Sequence, residues 1–220
     1  MSRLVVKICG LKRSEDVHMC ILHGADILGF VVDYPHPVPW NITVEEAKTL
    51  MRSVNSQTET CVVTGGTIEH VYAVAAQLRP TYVQLHWDVS PVDTAQLAEQ
   101  LKALDIKLIQ TIFPQKSDLE KIAVDFCRAG VFALLLDPRM PNQAEHGGTA
   151  DPAVWRKVRS VVTCPVILAG GITPENAAEL TEGSDVEMID LMTGVECAPG
   201  VKDEQKVASL FHACAKIRLL

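Results

Sequence analysis

Two side chains able to move protons stand at the ends of apolar runs. Cys9 closes "RLVVKIC" (3–9), directly before Gly10, and Asp137 closes "FALLLD" (132–137), behind three leucines. Strand alternation puts Lys7 on the same face as Cys9 and turns Val6 and Ile8 to the other. An ammonium beside a thiol favours the thiolate, so Cys9 is a candidate base or nucleophile. A packed, inert cysteine is the alternative. Lys7 is itself a candidate Schiff-base amine, which would mean aldolase chemistry. A carboxylate buried without partners is costly and its pKa rises, which suits Asp137 to a general acid near neutral pH. A helix cap or an exposed carboxylate at a loop rim is the other reading of Asp137.

A second group of residues suits an anion. "LAGGITPEN" (168–176) places Gly170 and Gly171 after an apolar run and before a helix start at Thr173, Pro174 and Glu175. "LMTGVE" (191–196) places Gly194 behind the next run. Main-chain N–H groups in such loops cradle phosphate, and glycine lets the backbone approach the oxygens. Plain turn glycines are the alternative.

The elements that must hold these groups recur along the chain. Eight apolar runs cover 3–9, 26–32, 60–64, 81–86, 106–112, 132–137, 165–171 and 186–191. Amphipathic stretches lie between them. "SEDVHMCILHG" opens on Ser14 as a plausible cap and ends at Gly24, and "TVEEAKTLMRSV" has the Thr43–Glu46 capping-box spacing. The stretches 90–104, 117–130, 151–162 and 173–183 follow the same plan. Strands alternating with helices over 220 residues predict an α/β fold, a single-domain (β/α)₈ TIM barrel over 1–220. A doubly wound sheet would need a G-x-G-x-x-G turn, which is absent. In a barrel the chemistry gathers at the C-terminal strand ends, with phosphate on the last two loops. That selects Cys9, Asp33, His86, Asp137, Gly170, Gly171 and 190–194. The long loop 138–150 reads as a lid or binding loop.

Composition narrows the partners. The chain is 48% hydrophobic but 5% aromatic, so its core is aliphatic, as parallel strands covered on both faces require. A net charge of −7 with no basic run excludes nucleic acid and anionic membrane surfaces as expected partners. A phosphorylated small molecule remains compatible. "MSRLVVKICGLKRSED" lacks a signal-peptide pattern, and no run nears the ~20 apolar residues of a membrane span. The expected location is cytoplasmic, with seven reduced cysteines. There is no C-x-x-C pair and no H-x-x-x-H pair, so no metal site is expected.

In order and spacing, "KICGLKRSED" (7–16), "GADILGFVV" (24–32), "VQLH" (83–86), "LLLD" with "GGT" (134–137, 147–149), "LAGGITPEN" and "TGVECAPGVKD" (193–203) resemble the phosphoribosylanthranilate isomerases of tryptophan biosynthesis. The resemblance covers nearly the whole chain. It implies a cofactor-free, metal-free Amadori rearrangement of N-(5′-phosphoribosyl)anthranilate to the ribulose 5-phosphate derivative. It implies Asp137 as the acid that opens the furanose and Cys9 as the base at C2′. It places Asp190 against the sugar or amine, Gln84 and His86 along the site, and Gly148, Thr149, Gly171, Thr193 and Gly194 in the phosphate loops. Either a monomer or a homodimer fits.

The chain also departs from the family pattern. Trp40 stands where the family has an arginine for the anthranilate carboxylate, and Trp87 follows "QLH" in place of glycine. Met192 replaces a serine and Ala150 a glycine. An indole cannot replace a guanidinium–carboxylate pair. His36 or Arg139 would have to supply the charge. Otherwise Trp40 and Trp87 stack on a different aryl group, as in a paralogue with another phosphoribosyl substrate. A non-catalytic phosphosugar-binding protein is a third reading, against which the retention of both Cys9 and Asp137 speaks.

Overall fold

β-Branched and aliphatic runs too short for helices, each bounded by polar or glycine residues, favour strands. In the computed structural model, which describes residues 3–140, 148–181 and 185–215, every one of the eight runs forms a parallel strand. In chain order the elements are β1 (Val5–Ile8), α1 (Ser14–Leu22), β2 (Ile27–Val32), β3 (Asn41–Ile42), α2 (Val44–Met51), β4 (Glu59–Thr64), α3 (Ile68–Leu78), β5 (Tyr82–Leu85) and α4 (Pro91–Lys102). They continue with β6 (Lys107–Ile112), α5 (Leu119–Arg128), β7 (Ala133–Leu136), α6 (Pro152–Arg159), β8 (Val166–Ala169), α7 (Ala177–Thr181) and β9 (Met188–Leu191). The chain then forms the short hairpin β10 (Glu196–Ala198) and β11 (Val201–Lys202) before α8 (Glu204–Cys214). β1 pairs with both β2 and β9, so the sheet closes into an eight-stranded barrel with helices outside, in one domain.

Helix starts follow local chemistry. Thr43 and Glu46 form the reciprocal capping box that their spacing predicts. Ser14 is not a cap: it is the first helical residue, and Arg13 holds the cap position without a side-chain bond. Two further helices, α3 and α8, lie outside the predicted stretches, although Thr67 and Asp203 cap them by accepting from the N–H groups of His70 and Lys206. Of the loop 138–150, residues 141–147 lie outside the described residues, so its reading as a lid is left there.

The alternation of the strands divides the core in two. Val6, Ile8, Leu28, Phe30 and Val62 face the helices. Ile27, Val31, Cys61, Val63, Ile109, Leu135 and Ile167 fill the barrel interior together with Cys9. Gly29 lies between Ile27 and Val31 on the inward face of β2. A methyl there would meet the Cys9 sulfur at 2.8 Å and the Cys9 Cα at 3.0 Å. Glycine is therefore what admits Cys9 to the top of the interior. Gly29→Ala is expected to destabilise the fold by about 1–3 kcal/mol, since overpacked interiors move backbone. Urea unfolding measures it, and an unchanged midpoint would show that the Cys9 position yields freely.

Candidate active site

Every strand end that carries a candidate acid, base or phosphate glycine opens on one cavity of about 610 Å³. Cys9, Tyr34, Trp40, Gln84, His86, Asp137, Arg139, Gly148, Gly170, Gly171, Asp190, Thr193 and Gly194 line it. Lys7, Trp87 and Thr149, three of the residues expected at the site, are not part of its wall.

Lys7 is wholly buried beneath the cavity, and its Nζ lies 2.9 Å from Asp190 Oδ2. Burial opposes the ammonium charge, but Asp190 with Cys9 and Cys61 outweighs it and raises the Lys7 pKa. A lysine that keeps its proton and does not reach the cavity is no Schiff-base amine, which corrects that reading. The same pairing corrects the expectation for Cys9. Burial pushes the Cys9 thiol up, and the pull of Lys7 does not overcome it because Asp190 pushes up as well. In the free protein Cys9 is a thiol, not a thiolate.

Asp137 departs from expectation in the opposite sense. It is buried, which alone would raise its pKa, but the His86 ring and the charge and N–H of Arg139 hold the carboxyl below its usual range. The Arg139 N–H donates to Asp137 Oδ1 at 2.8 Å, the guanidinium lies 3.8 Å from Oδ2, and His86 Nε2 lies 3.7 Å from Oδ2. So Asp137 is neither a cap nor a rim carboxylate, and it rests ionised.

The His86 tautomer follows from its neighbour. Burial pushes the Tyr34 phenol up to about 12, so it keeps its proton. Its hydroxyl donates to the His86 carbonyl at 2.8 Å, leaving it to accept from Nδ1 at 3.1 Å. Nδ1 then carries a hydrogen, and Nε2 is the ring atom that faces Asp137, 3.7 Å from its Oδ2. Gln84 Oε1, His86 Nε2 and Asp190 Oδ1 are buried with no hydrogen-bond partner among the described residues. Buried polar atoms are seldom left unpaired, so their place in or beside the cavity wall marks where a polar ligand belongs.

At the other end three loops meet. Gly148, Gly170 and Gly171 have φ of +84°, +98° and +58°, which favours glycine. A side chain on Gly194 would stand 1.9 Å from the Ile172 carbonyl oxygen. The Ala150 N–H donates to the Gly170 carbonyl at 2.8 Å and ties the β7 loop to the β8 loop. Thr149 packs beside Gly171 rather than facing the cavity.

The two tryptophans part company. Trp40 is buried in the cavity wall, where its indole N–H donates to Glu196 Oε1 at 2.9 Å. Lys202 Nζ holds the same carboxylate at 2.7 Å, and the Arg139 guanidinium carbon lies 5.5 Å from the Trp40 ring centroid. Trp87 stacks on His36 with centroids 5.0 Å apart, and it fills the space a Gly65 side chain would need. It packs there and is not part of the cavity wall. Tyr34, Glu196 and Lys202 are site residues that the sequence does not single out. The last two sit inside "TGVECAPGVKD", where their charges alone give no sign of being buried together.

Comparison with known proteins agrees with this geometry. The family model described as N-(5′phosphoribosyl)anthranilate (PRA) isomerase matches residues 6–213. The N-(5′-phosphoribosyl)anthranilate isomerase of Thiobacillus denitrificans is 34% identical over 205 residues, covering 92% of this chain and 94% of its own. That of Acinetobacter calcoaceticus is 31% identical over 206 residues, covering 93% of each. The crystal structure of phosphoribosyl anthranilate isomerase from Thermus thermophilus superposes with a TM-score of 0.80 at 28% identity, covering 98% of this chain and all of the other. With its closed barrel and single cavity wall of acid, thiol and glycine loops, this chain belongs to the N-(5′-phosphoribosyl)anthranilate isomerase family.

Proposed function

We propose that Cys9 and Asp137 are the base and the acid of an Amadori rearrangement of N-(5′-phosphoribosyl)anthranilate in tryptophan biosynthesis. As a member of its family the chain is an isomerase, taking a phosphoribosyl aminoaldose to a ketose. The observation that carries the assignment is the placement of both groups on the wall of one cavity whose far end is the glycine loops. Phosphate bound by Gly148, Gly170, Gly171, Thr193 and Gly194 anchors the sugar, and the aryl amine then extends toward Trp40. Asp190 Oδ1 and Gln84 Oε1 accept from sugar hydroxyls or the amine. Seven free thiols suit a cytoplasmic setting.

The reaction needs no outside electrons. Asp137 gives a proton to the furanose oxygen, the C1′–O bond breaks, and the amine lone pair forms the C1′ iminium. Cys9 removes the C2′ proton, and that C–H pair becomes the enolamine double bond. Reprotonation at C1′ with loss of the C2′ hydroxyl proton leaves the ketone. The iminium is what makes C2′ acidic enough for a modest base.

The resting protonation states are the reverse of those the step requires. Asp137 is ionised and Cys9 is protonated in the free protein. The productive pair, carboxylic acid with thiolate, has the same proton count, so it is a minor tautomer of the resting pair and needs no change in pH. Burying the substrate raises the acid by desolvation, and the nascent iminium lowers the thiol.

Two measurements test this reading. Cys9→Ala and Asp137→Asn are each expected to lose at least ~10²-fold in kcat. The borohydride-reduced product is expected to bind each variant within ~3-fold of wild type, because an interaction made only in the transition state costs rate and not ground-state affinity. Turnover that survives either change would remove that residue from its role. The thiolate absorbance of wild type minus Cys9→Ser, followed with pH, is expected to appear only above ~8.5, the ordinary thiol value. Because the thiol is raised, thiolate forms as pH climbs past that point. A full thiolate signal at pH ~7 would mean that Lys7 governs the sulfur after all.

A further inference from the structure

We infer that Arg139 binds the carboxylate of the anthranilate ring, lying against the face of Trp40, and so replaces a guanidinium at position 40. The inference rests on the isomerase reading above and names a residue that determines its specificity.

The substrate's aryl group carries a carboxylate ortho to the amine. Inside a cavity that charge needs a cation with free donors. Among the described residues of the cavity wall, Arg139 is the one arginine or lysine. The two lysines behind the wall are committed: Lys7 to Asp190 at 2.9 Å and Lys202 to Glu196 at 2.7 Å, both with wholly buried side chains. Arg139 is different. Its side chain keeps 25% of its surface exposed, and among the described residues its nearest anion, Asp137 Oδ2, is 3.8 Å away. That contact is too long for a hydrogen bond, so the guanidinium fork remains open to a carboxylate.

Trp40 fixes where that fork can lie. The indole cannot turn, because its N–H is bound to Glu196 and Glu196 is pinned by Lys202. A side chain at Gly10 would come within 2.8 Å of the Trp40 ring, so the backbone is shaped around it. A rigid indole face with an arginine 5.5 Å from its centroid is a cation–π seat. His36, the other candidate cation, is stacked on Trp87 and is not part of the cavity wall. The order of groups along the substrate also fits. Carboxylate, amine nitrogen, C1′ and the furanose oxygen are separated by few bonds, and Arg139 follows Asp137 by two residues. A carboxylate on Arg139 thus sets the furanose oxygen beside the acid.

The test uses two borohydride-reduced Amadori products as probes, one made from anthranilate and one from aniline, which lacks the carboxylate. Calorimetric titration of the whole protein gives both Kd values. Wild type is expected to bind the anthranilate probe at least ~10-fold more tightly, the scale of a charge-assisted pair. Arg139→Met and Arg139→Gln are expected to bring that ratio close to unity by weakening only the anthranilate probe, while Arg139→Lys restores part of it. Unchanged binding of the aniline probe certifies that each variant is folded. A ratio that survives in both Arg139→Met and Arg139→Gln would overturn the assignment and leave the isomerase reading standing. Failure of wild type to bind either probe would overturn both.

Discussion

The buried ion pair between Lys7 and Asp190 is the constraint around which the site is arranged. The two residues stand opposite each other in the register of β1 and β9, the pairing that closes the barrel. Each charge is out of water, so each is tolerable only because the other is present. Removing one partner of such a pair typically costs about 3–5 kcal/mol, because an orphaned charge stays behind. The pair also explains the chemistry above it. Cys9 lies two residues beyond Lys7 on the same face, but burial pushes its thiol up, and Asp190 adds to that push against the pull of Lys7. Burial, with Asp190 beside it, keeps the sulfur protonated at rest.

That arrangement ties catalysis to the substrate. A resting thiolate would be open to oxidation and to any electrophile that entered. In the proposed reaction the base is unmasked by the reaction itself, when ring opening puts positive charge on the amine next to the C2′ proton. The acid is restrained in a parallel way, held ionised by Arg139 and His86. For the proposed step both groups thus rest on the wrong side in the free protein.

Much of this is legible in the sequence because it is local. Aliphatic runs at regular spacing carry the barrel, and the glycines that need positive φ, Gly170 and Gly171, announce themselves by following a strand. Alternation alone puts Lys7 and Cys9 on the inner face. The misreadings share one physical origin, which is that a charge responds to partners far away in the chain. The sequence pairs Lys7 with Cys9, its neighbour, and hides Asp190 across the seam. It sets Asp137 against the leucines before it, and hides His86 reaching over from the end of β5. Trp87 looks like a second aromatic wall because it follows the site residue His86, but it turns away into the packing over Gly65. Glu196 and Lys202 give no warning, since a glutamate and a lysine in a turn-rich segment ordinarily sit in water.

In the proposed binding mode a recognition contact has moved from position 40 to Arg139 while the barrel is kept. An indole at this position gives no charge, but it offers a flat, fixed face, and the cation can then come from a different loop. Arg139 comes from the β7 loop, the one that also carries the acid. With the substrate carboxylate on Arg139, the charge that keeps Asp137 ionised is offset at the moment the furanose oxygen arrives. The carboxyl is then freer to hold the proton it must give. An arginine on the β2 loop would bind the same carboxylate without that link to the acid. Under that proposal the cation beside Asp137 lets the correct aryl group both orient the sugar and relax the acid, so recognition and ring opening would share one residue.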